Sequence, residues 1–266
     1  MPTSNERVVT KLMKPSELKI HPYAQRTLVK SKIEEYLANF QPAMLRTLSA
    51  VDYPIKKEDG PWIVDGQHRV VTCWRKPYDQ PIRVDIYLDR KTDKEAHELF
   101  LNLNNVANMS SFARFVNELG AEHEDAMGVV KILAKHGLKF NSSGSGNKAI
   151  CSVNALKNTY SLDNGATLSR ILAVLTKAFS GRGHLDGKLI EGACILFSLR
   201  GEQIKDAEMV RALAHSPLGV VGIIGQGRQD RHNGGNRNSM SKCVAQALLG
   251  IYNVKRSSRR VESILD

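Results

Sequence analysis

The chain has 266 residues, 42% of them hydrophobic and 24% charged, with a formal net charge of +11 and an isoelectric point near 9.5. This length exceeds one ordinary compact domain and its apolar content supports a packed core, which excludes a disordered chain, while the positive excess points to a polyanion such as nucleic acid. No apolar run is long enough to span a bilayer, the first residues lack a signal-type apolar core, and the four scattered cysteines (Cys73, Cys151, Cys194, Cys243) fit neither a disulfide framework nor a zinc site, so a reduced cytoplasmic protein with no membrane contact is expected.

Residues 7–12 read as a short strand, Pro15-Ser16-Glu17-Leu18 as a turn, and His21-Pro22-Tyr23-Ala24-Gln25-Arg26 as an extended loop. Ser31, with Glu34 three residues on, has capping-box spacing, and a helix to Phe40 would bury Ile33, Tyr36, Leu37 and Phe40. Residues 43–51, with Met44, Leu45 and Leu48, suit a strand. A polar turn over 56–60 leads to a short buried strand at Trp62-Ile63-Val64, and 69–74 continues as helix. Residues 82–88 alternate apolar and polar, the mark of a half-buried strand, and Thr92 caps a helix through Glu95, Leu99 and Leu101.

From about Ser110 the strand signals fade. Helices are predicted over 112–119, 126–136 (ending at Gly137 as a C-cap), 152–160, 168–179, 189–199, 207–215 and 240–252, with a Gly/Ser-rich linker at 141–148. Residues 225–237 are polar, basic and glycine-rich, and 255–260 are basic again. Arg228, Arg231, Arg237, Lys255, Arg256, Arg259 and Arg260 therefore form a candidate phosphate-tracking arm that orders on DNA. The expected fold class is α/β (α+β) over residues 1–118, followed by a mostly α-helical region, 119–266, with a basic tail.

The segment Ile63-Val64-Asp65-Gly66-Gln67-His68-Arg69 carries the most chemistry. A buried strand ends, Asp-Gly turns sharply, and the absent Cβ of Gly66 lets backbone amides approach a ligand. The next helix aims free N–H groups and its positive dipole end at that ligand, and His68 and Arg69 add side-chain donors. All of these favour an anion, foremost the phosphates of a nucleotide. Gly144-Ser145-Gly146-Asn147-Lys148 lacks P-loop spacing and is set aside.

Four blocks in order extend this corner: Pro15-Ser16-Glu17-Leu18 with His21 to Arg26, then Phe40-Gln41-Pro42-Ala43-Met44-Leu45-Arg46, then Trp62 to Arg69, then Leu103-Asn104-Asn105-Val106-Ala107-Asn108. Over residues 8–118 the chain resembles the ParB/sulfiredoxin superfamily. The resemblance implies a ParB/sulfiredoxin-like N-terminal domain that holds a nucleoside triphosphate (CTP or ATP) through Gln25, Arg26, Gln41, Arg46, Asp65, Gly66, Gln67, His68, Arg69 and Asn105. Gln67 stands where sulfiredoxin has its redox cysteine, so sulfinic-acid reduction is not expected. Asn105 matches the metal-site Asn of ParB clamps and would face a Mg2+ ion, whereas Asn104 replaces the Glu and Asn108 the Arg.

The Asp-Gly-Gln-His-Arg wording also resembles a group of DNA-modification and phage-borne proteins. Some superfamily members transfer phosphate to small hydroxyl substrates with a Glu of the first helix as base, which would assign catalysis to Glu34 or Glu35 with His68. Three readings stay open. The first is a nucleotide-binding protein of phage or mobile-element type acting on or with DNA. The second is an enzyme: a ParB-type nuclease, or a kinase acting on a hydroxyl of a small molecule or modified base. The third is a non-catalytic DNA-associated regulator. A homodimer is compatible with each.

Overall fold

The computed structural model describes residues 7–104, 109–140, 149–150, 152–180, 185–234, 237–254, 256 and 260–265. The chain divides into two compact units, Met1–His123 and Glu124–Asp266.

In the first unit, strand β1 (Val8–Met13) and the two-residue β2 (Lys19–Ile20) precede helix α1 (Lys30–Ala38). Then come β3 (Leu48–Val51), β4 (Trp62–Asp65), helix α2 (Gln67–Arg75), β5 (Ile82–Tyr87), α3 (Asp93–Leu103) and α4 (Ser111–Gly120). The five strands form one mixed sheet in the order β1-β5-β3-β4-β2. β1 runs antiparallel to β5 and β3 antiparallel to β4, while β3/β5 and β2/β4 are parallel.

β3 and β4 are apolar on both faces because both faces are covered. Leu48, Ala50 and Ile63 join Val70 and Cys73 of α2 on one side. Val51, Trp62 and Val64 join Ala96, Leu99 and Phe100 of α3 on the other. β5 keeps the alternation read from its sequence, with Ile82, Val84 and Ile86 buried. Thr92 caps α3 as expected: its hydroxyl accepts from the Glu95 amide (3.2 Å) and the Glu95 carboxylate accepts from the Thr92 amide (3.0 Å).

Two local expectations fail here. Ser31 is not an N-cap, since α1 begins two residues earlier than that cap would place it, with Val29 at the cap position and no side-chain cap. The Val29 amide instead donates to His68 Nε2 at 3.0 Å, so a long-range contact replaces the local one. Residues 43–47 are not strand. Pro42 starts a single 3-10 turn, Pro42–Leu45, and Arg46 follows at φ 46°, a value that no extended strand accommodates.

The second unit is largely helical: α5 (Glu124–Lys135), α6 (Val153–Tyr160), α7 (Ala166–Ala178), α8 (Gly187–Arg200), α9 (Asp206–His215), α10 (Gly219–Asn233) and α11 (Met240–Asn253). A two-residue parallel pairing of Lys139–Phe140 with Ala149–Ile150, β6 and β7 in chain order, was not anticipated; the expected linker at 141–148 lies outside the described residues. No single helix among the described residues is long and apolar enough to cross a membrane.

The basic glycine-rich stretch 225–237 is for the most part not an arm. It forms the second half of α10. One of its glycines serves packing: a Cβ on Gly227 would lie 2.7 Å from Val244 Cγ2 and 3.0 Å from the Val244 amide, just as one on Gly192 of α8 would lie 2.6 Å from Val244 Cγ1. Two glycines on separate helices thus grip one valine of α11, and their missing side chains let the helix backbones come close.

Candidate functional site

At the end of β4, Asp65 and Gly66 turn the chain into α2. Gly66 has φ 105°, and a Cβ there would meet Leu48 Cδ2 at 2.4 Å and Arg69 Nη2 at 3.0 Å, so glycine is required by both conformation and space. As the first residues of α2, Gln67, His68 and Arg69 have amides without an intrahelical acceptor.

A cavity of about 580 Å³ opens at this helix start. Of the residues singled out in the sequence, it brings together Gln25, Arg26, Arg46, Asp65, Gly66, Gln67, His68 and Arg69. Tyr36, Met44, Thr47 and Phe100 also line it. Reading the sequence missed these four. The available signals were the inward face of α1 for Tyr36 and closeness in sequence to Arg46 for Met44 and Thr47. Gln41 is not in the lining, and Asn105, the candidate metal residue, lies outside the described residues.

The loop that carries Gln25 and Arg26 is organised from beneath by His21, which has no exposed surface. Its Nδ1 accepts from the amides of Ala24 (2.9 Å) and Tyr23 (3.2 Å). The proton therefore sits on Nε2, which donates to the Tyr53 hydroxyl (2.7 Å), and that hydroxyl donates to Asp93 Oδ1 (2.8 Å). Burial pushes the His21 pKa down to about 4, against a smaller opposing pull from Asp93. Asn117 of α4 donates to the Gln25 carbonyl at 3.3 Å and pairs with His97 Nδ1 at 2.8 Å, which ties the same loop to α3 and α4.

Above this base, the polar side chains of the motif turn inward to the backbone. Gln25 Nε2 donates to the carbonyls of Ile63 and Val64, and Gln67 Nε2 donates to the Arg26 carbonyl at 2.6 Å. His68 Nε2 is taken by the Val29 amide. Burial, and then the charges of Arg26 and Lys32, lower the His68 pKa and hold the ring neutral. Nε2 of His68 is not available as a general base while it accepts from the Val29 amide, because protonating it would break the contact that starts α1.

Arg69 Nη1 donates to the carbonyls of Leu45 (2.7 Å) and Thr47 (3.2 Å), while Nη2 meets Asp65 Oδ2 at 2.8 Å. Three of the five donors on the fork expected to bind phosphate are thus engaged by the protein itself. Glu34 and Glu35 are exposed and outside the cavity lining, and Glu34 pairs with Arg75 at 3.1 Å. Helical periodicity buries Ile33, half-buries Tyr36 and Leu37 and leaves these two carboxylates exposed, so neither is placed as a catalytic base.

No family model matches the chain, and no curated protein matches it. A solved Pnob8-like ParB-N domain, in its C2221 crystal form, is weakly similar in structure: TM-score 0.39 and 10% identity, over 87% of this chain and 99% of that one.

Chemically, the cavity is cationic. Its described lining residues hold three arginines against the single carboxylate of Asp65, which pairs with Arg69; Arg46 and the α2 amides border the space that an anion would enter. Arg46 is exposed and has no hydrogen-bond or ion-pair partner among the described residues. Cys73 on α2 is buried in the core, and burial pushes its thiol up to about 11. Among the described residues no group of three or more His, Cys, Asp or Glu is placed to hold a metal ion.

In the second unit, Arg228 and Arg231 are exposed on α10, and Arg237 and Arg260 are also exposed. Arg256 is a structural residue instead, paired with Glu208 and stacked 4.2 Å over the Tyr252 ring. Lys255 and Arg259 lie outside the described residues.

Proposed function

We propose that the first unit is a ParB/sulfiredoxin-like nucleotide-binding domain. The phosphates of CTP or ATP would sit over the start of α2 against Arg26 and Arg46, and the protein would act with DNA through exposed arginines of its helical unit. The observation that carries this reading is the cationic cavity at a helix N-terminus, large enough for a nucleotide and lined also by Tyr36, Met44 and Phe100. The only carboxylate among its described lining residues is engaged by Arg69, so a Mg2+ ion would arrive with the nucleotide, bound chiefly by phosphate oxygens and water. The net charge of +11 and the exposed Arg228, Arg231, Arg237 and Arg260 support a nucleic-acid partner.

Isothermal titration with CTP, ATP and GTP, with and without magnesium, tests the nucleotide reading. Binding of at least one nucleotide is expected. Arg46→Ala is expected to weaken it about tenfold or more, the loss of one charge-assisted contact. Absence of binding by all three nucleotides sinks the proposal. For DNA, the doubly substituted Arg228→Ala/Arg231→Ala protein should bind a duplex more weakly and with a shallower salt dependence; an unchanged affinity and slope would remove α10 from the interface.

A further inference from the structure

We infer that Arg69 is a positioning residue rather than a ligand contact, and that it acts by presenting Arg46 to the anion. This rests on the phosphate-binding reading of the cavity and assigns roles within it. Arg69 Nη1 bonds to the carbonyls on both sides of Arg46, those of Leu45 and Thr47. Its other arm is anchored by Asp65, four residues earlier on the same turn of chain. The guanidinium lies where a Cβ on Gly66 would press, 3.0 Å from that ideal position. Asp, Gly and Arg of the motif therefore make one clamp: the acid holds the arginine, the glycine makes room for it, and the arginine grips a loop more than twenty residues away.

What the clamp grips is unusual. Arg46 has φ 46°, a conformation that a residue with a Cβ adopts rarely and that persists only when its surroundings impose it. Fixing both flanking carbonyls imposes it. The Arg46 side chain lines the cavity, exposed and without a partner among the described residues, whereas the Arg69 side chain is only 17% exposed and already has three acceptors. A phosphate entering the cavity finds an unengaged donor fork at Arg46, whereas at Arg69 three of the five N–H donors, including both on Nη1, are already taken.

Two readouts test this. The first needs no ligand: limited trypsin digestion of the full chain, following cleavage after Arg46. Arg69→Lys keeps a charge but has one nitrogen in place of Nη1 and Nη2, so it cannot hold Asp65 and both carbonyls at once, and cleavage after Arg46 should accelerate at least tenfold while far-UV circular dichroism stays that of the wild type. If Arg69→Lys does not fold, Asp65→Asn replaces it, with an expected acceleration of about threefold because one arm of the clamp is released. Unchanged cleavage in whichever variant folds overturns the clamp.

The second readout is a double-mutant cycle in titrations with CTP and with inorganic tripolyphosphate. Arg69→Lys should weaken binding about tenfold when Arg46 is present and have no further effect in Arg46→Ala. Equal losses in both backgrounds would mean that Arg69 touches the ligand and would overturn the assignment. If the wild type binds neither probe, the nucleotide reading fails, and the protease result alone decides whether Arg69 holds the loop.

Discussion

Gly225 and Gly227 lie two residues apart in α10, and alanine at each is expected to move stability in opposite directions. Gly225 has nothing within 4 Å of where a Cβ would stand. There alanine brings only its helix propensity, a gain of about 0.5–1 kcal/mol. Gly227 would place its Cβ 2.7 Å from Val244 Cγ2, 3.0 Å from the Val244 amide nitrogen and 3.2 Å from its Cα. Two of those neighbours are backbone, so relief requires α10 to move away from α11 rather than a side chain to rotate.

Overpacking of this kind costs roughly 1–3 kcal/mol, and the backbone contacts place Gly227 towards the upper end. After the propensity gain is offset, Gly227→Ala should lose about 1–2 kcal/mol, which separates the two variants by about 2 kcal/mol or more. Urea denaturation of the full chain followed by circular dichroism measures the difference. Equal stability of the two variants, or a more stable Gly227→Ala, would refute the packing of α10 on Val244 and revive the reading of 225–237 as a loose basic arm.

Two further expectations concern the first unit. Gly66→Ala forces a side chain into φ 105° and against Leu48 Cδ2; left-handed strain and overpacking together should cost about 2–5 kcal/mol, and a loss below about 1 kcal/mol would argue against the turn as described. His21 is held neutral, with a pKa near 4 against 6.5 for the free ring. The unfolded chain therefore takes up this proton first as pH falls. The contribution is fully present above about pH 6.5, declines between 6.5 and 4, and amounts at most to roughly 3 kcal/mol. His68 and His97, also lowered by burial, add in the same direction. Urea midpoints of the wild type should fall more steeply from pH 7 to 5 than those of His21→Gln, and parallel slopes would exclude His21 as a source.

The parts of the fold legible in the sequence were those set by neighbours in the chain. The alternation of β5, the Thr92–Glu95 box and the apolar runs of α5 to α9 depend on residues one to four positions apart, and they appear where the pattern places them. The Asp-Gly corner was legible for the same reason, since strand, turn and helix start are contiguous. What could not be read depends on distant partners. The start of α1 is set by His68, 39 residues from Val29, and no spacing rule around Ser31 carries that information. The glycines of α10 resemble a flexible segment until Val244 is packed beneath Gly227.

The same distinction explains the placement of Asp65. A carboxylate in a cavity meant for phosphate is unfavourable by charge alone. Paired with Arg69 at 2.8 Å, it forms a nearly neutral unit that repels an anion little. Removing its charge would have two opposed effects: the cavity would become more positive, while Arg69 would lose the anchor that aims it at Leu45 and Thr47. If positioning matters more than net charge, Asp65→Asn weakens phosphate binding despite raising the local positive potential. If net charge matters more, it strengthens binding. The sign of that one change therefore separates an electrostatic funnel from a preorganised site, and the hydrogen bonds of Arg69, all three made within the protein, favour the preorganised site.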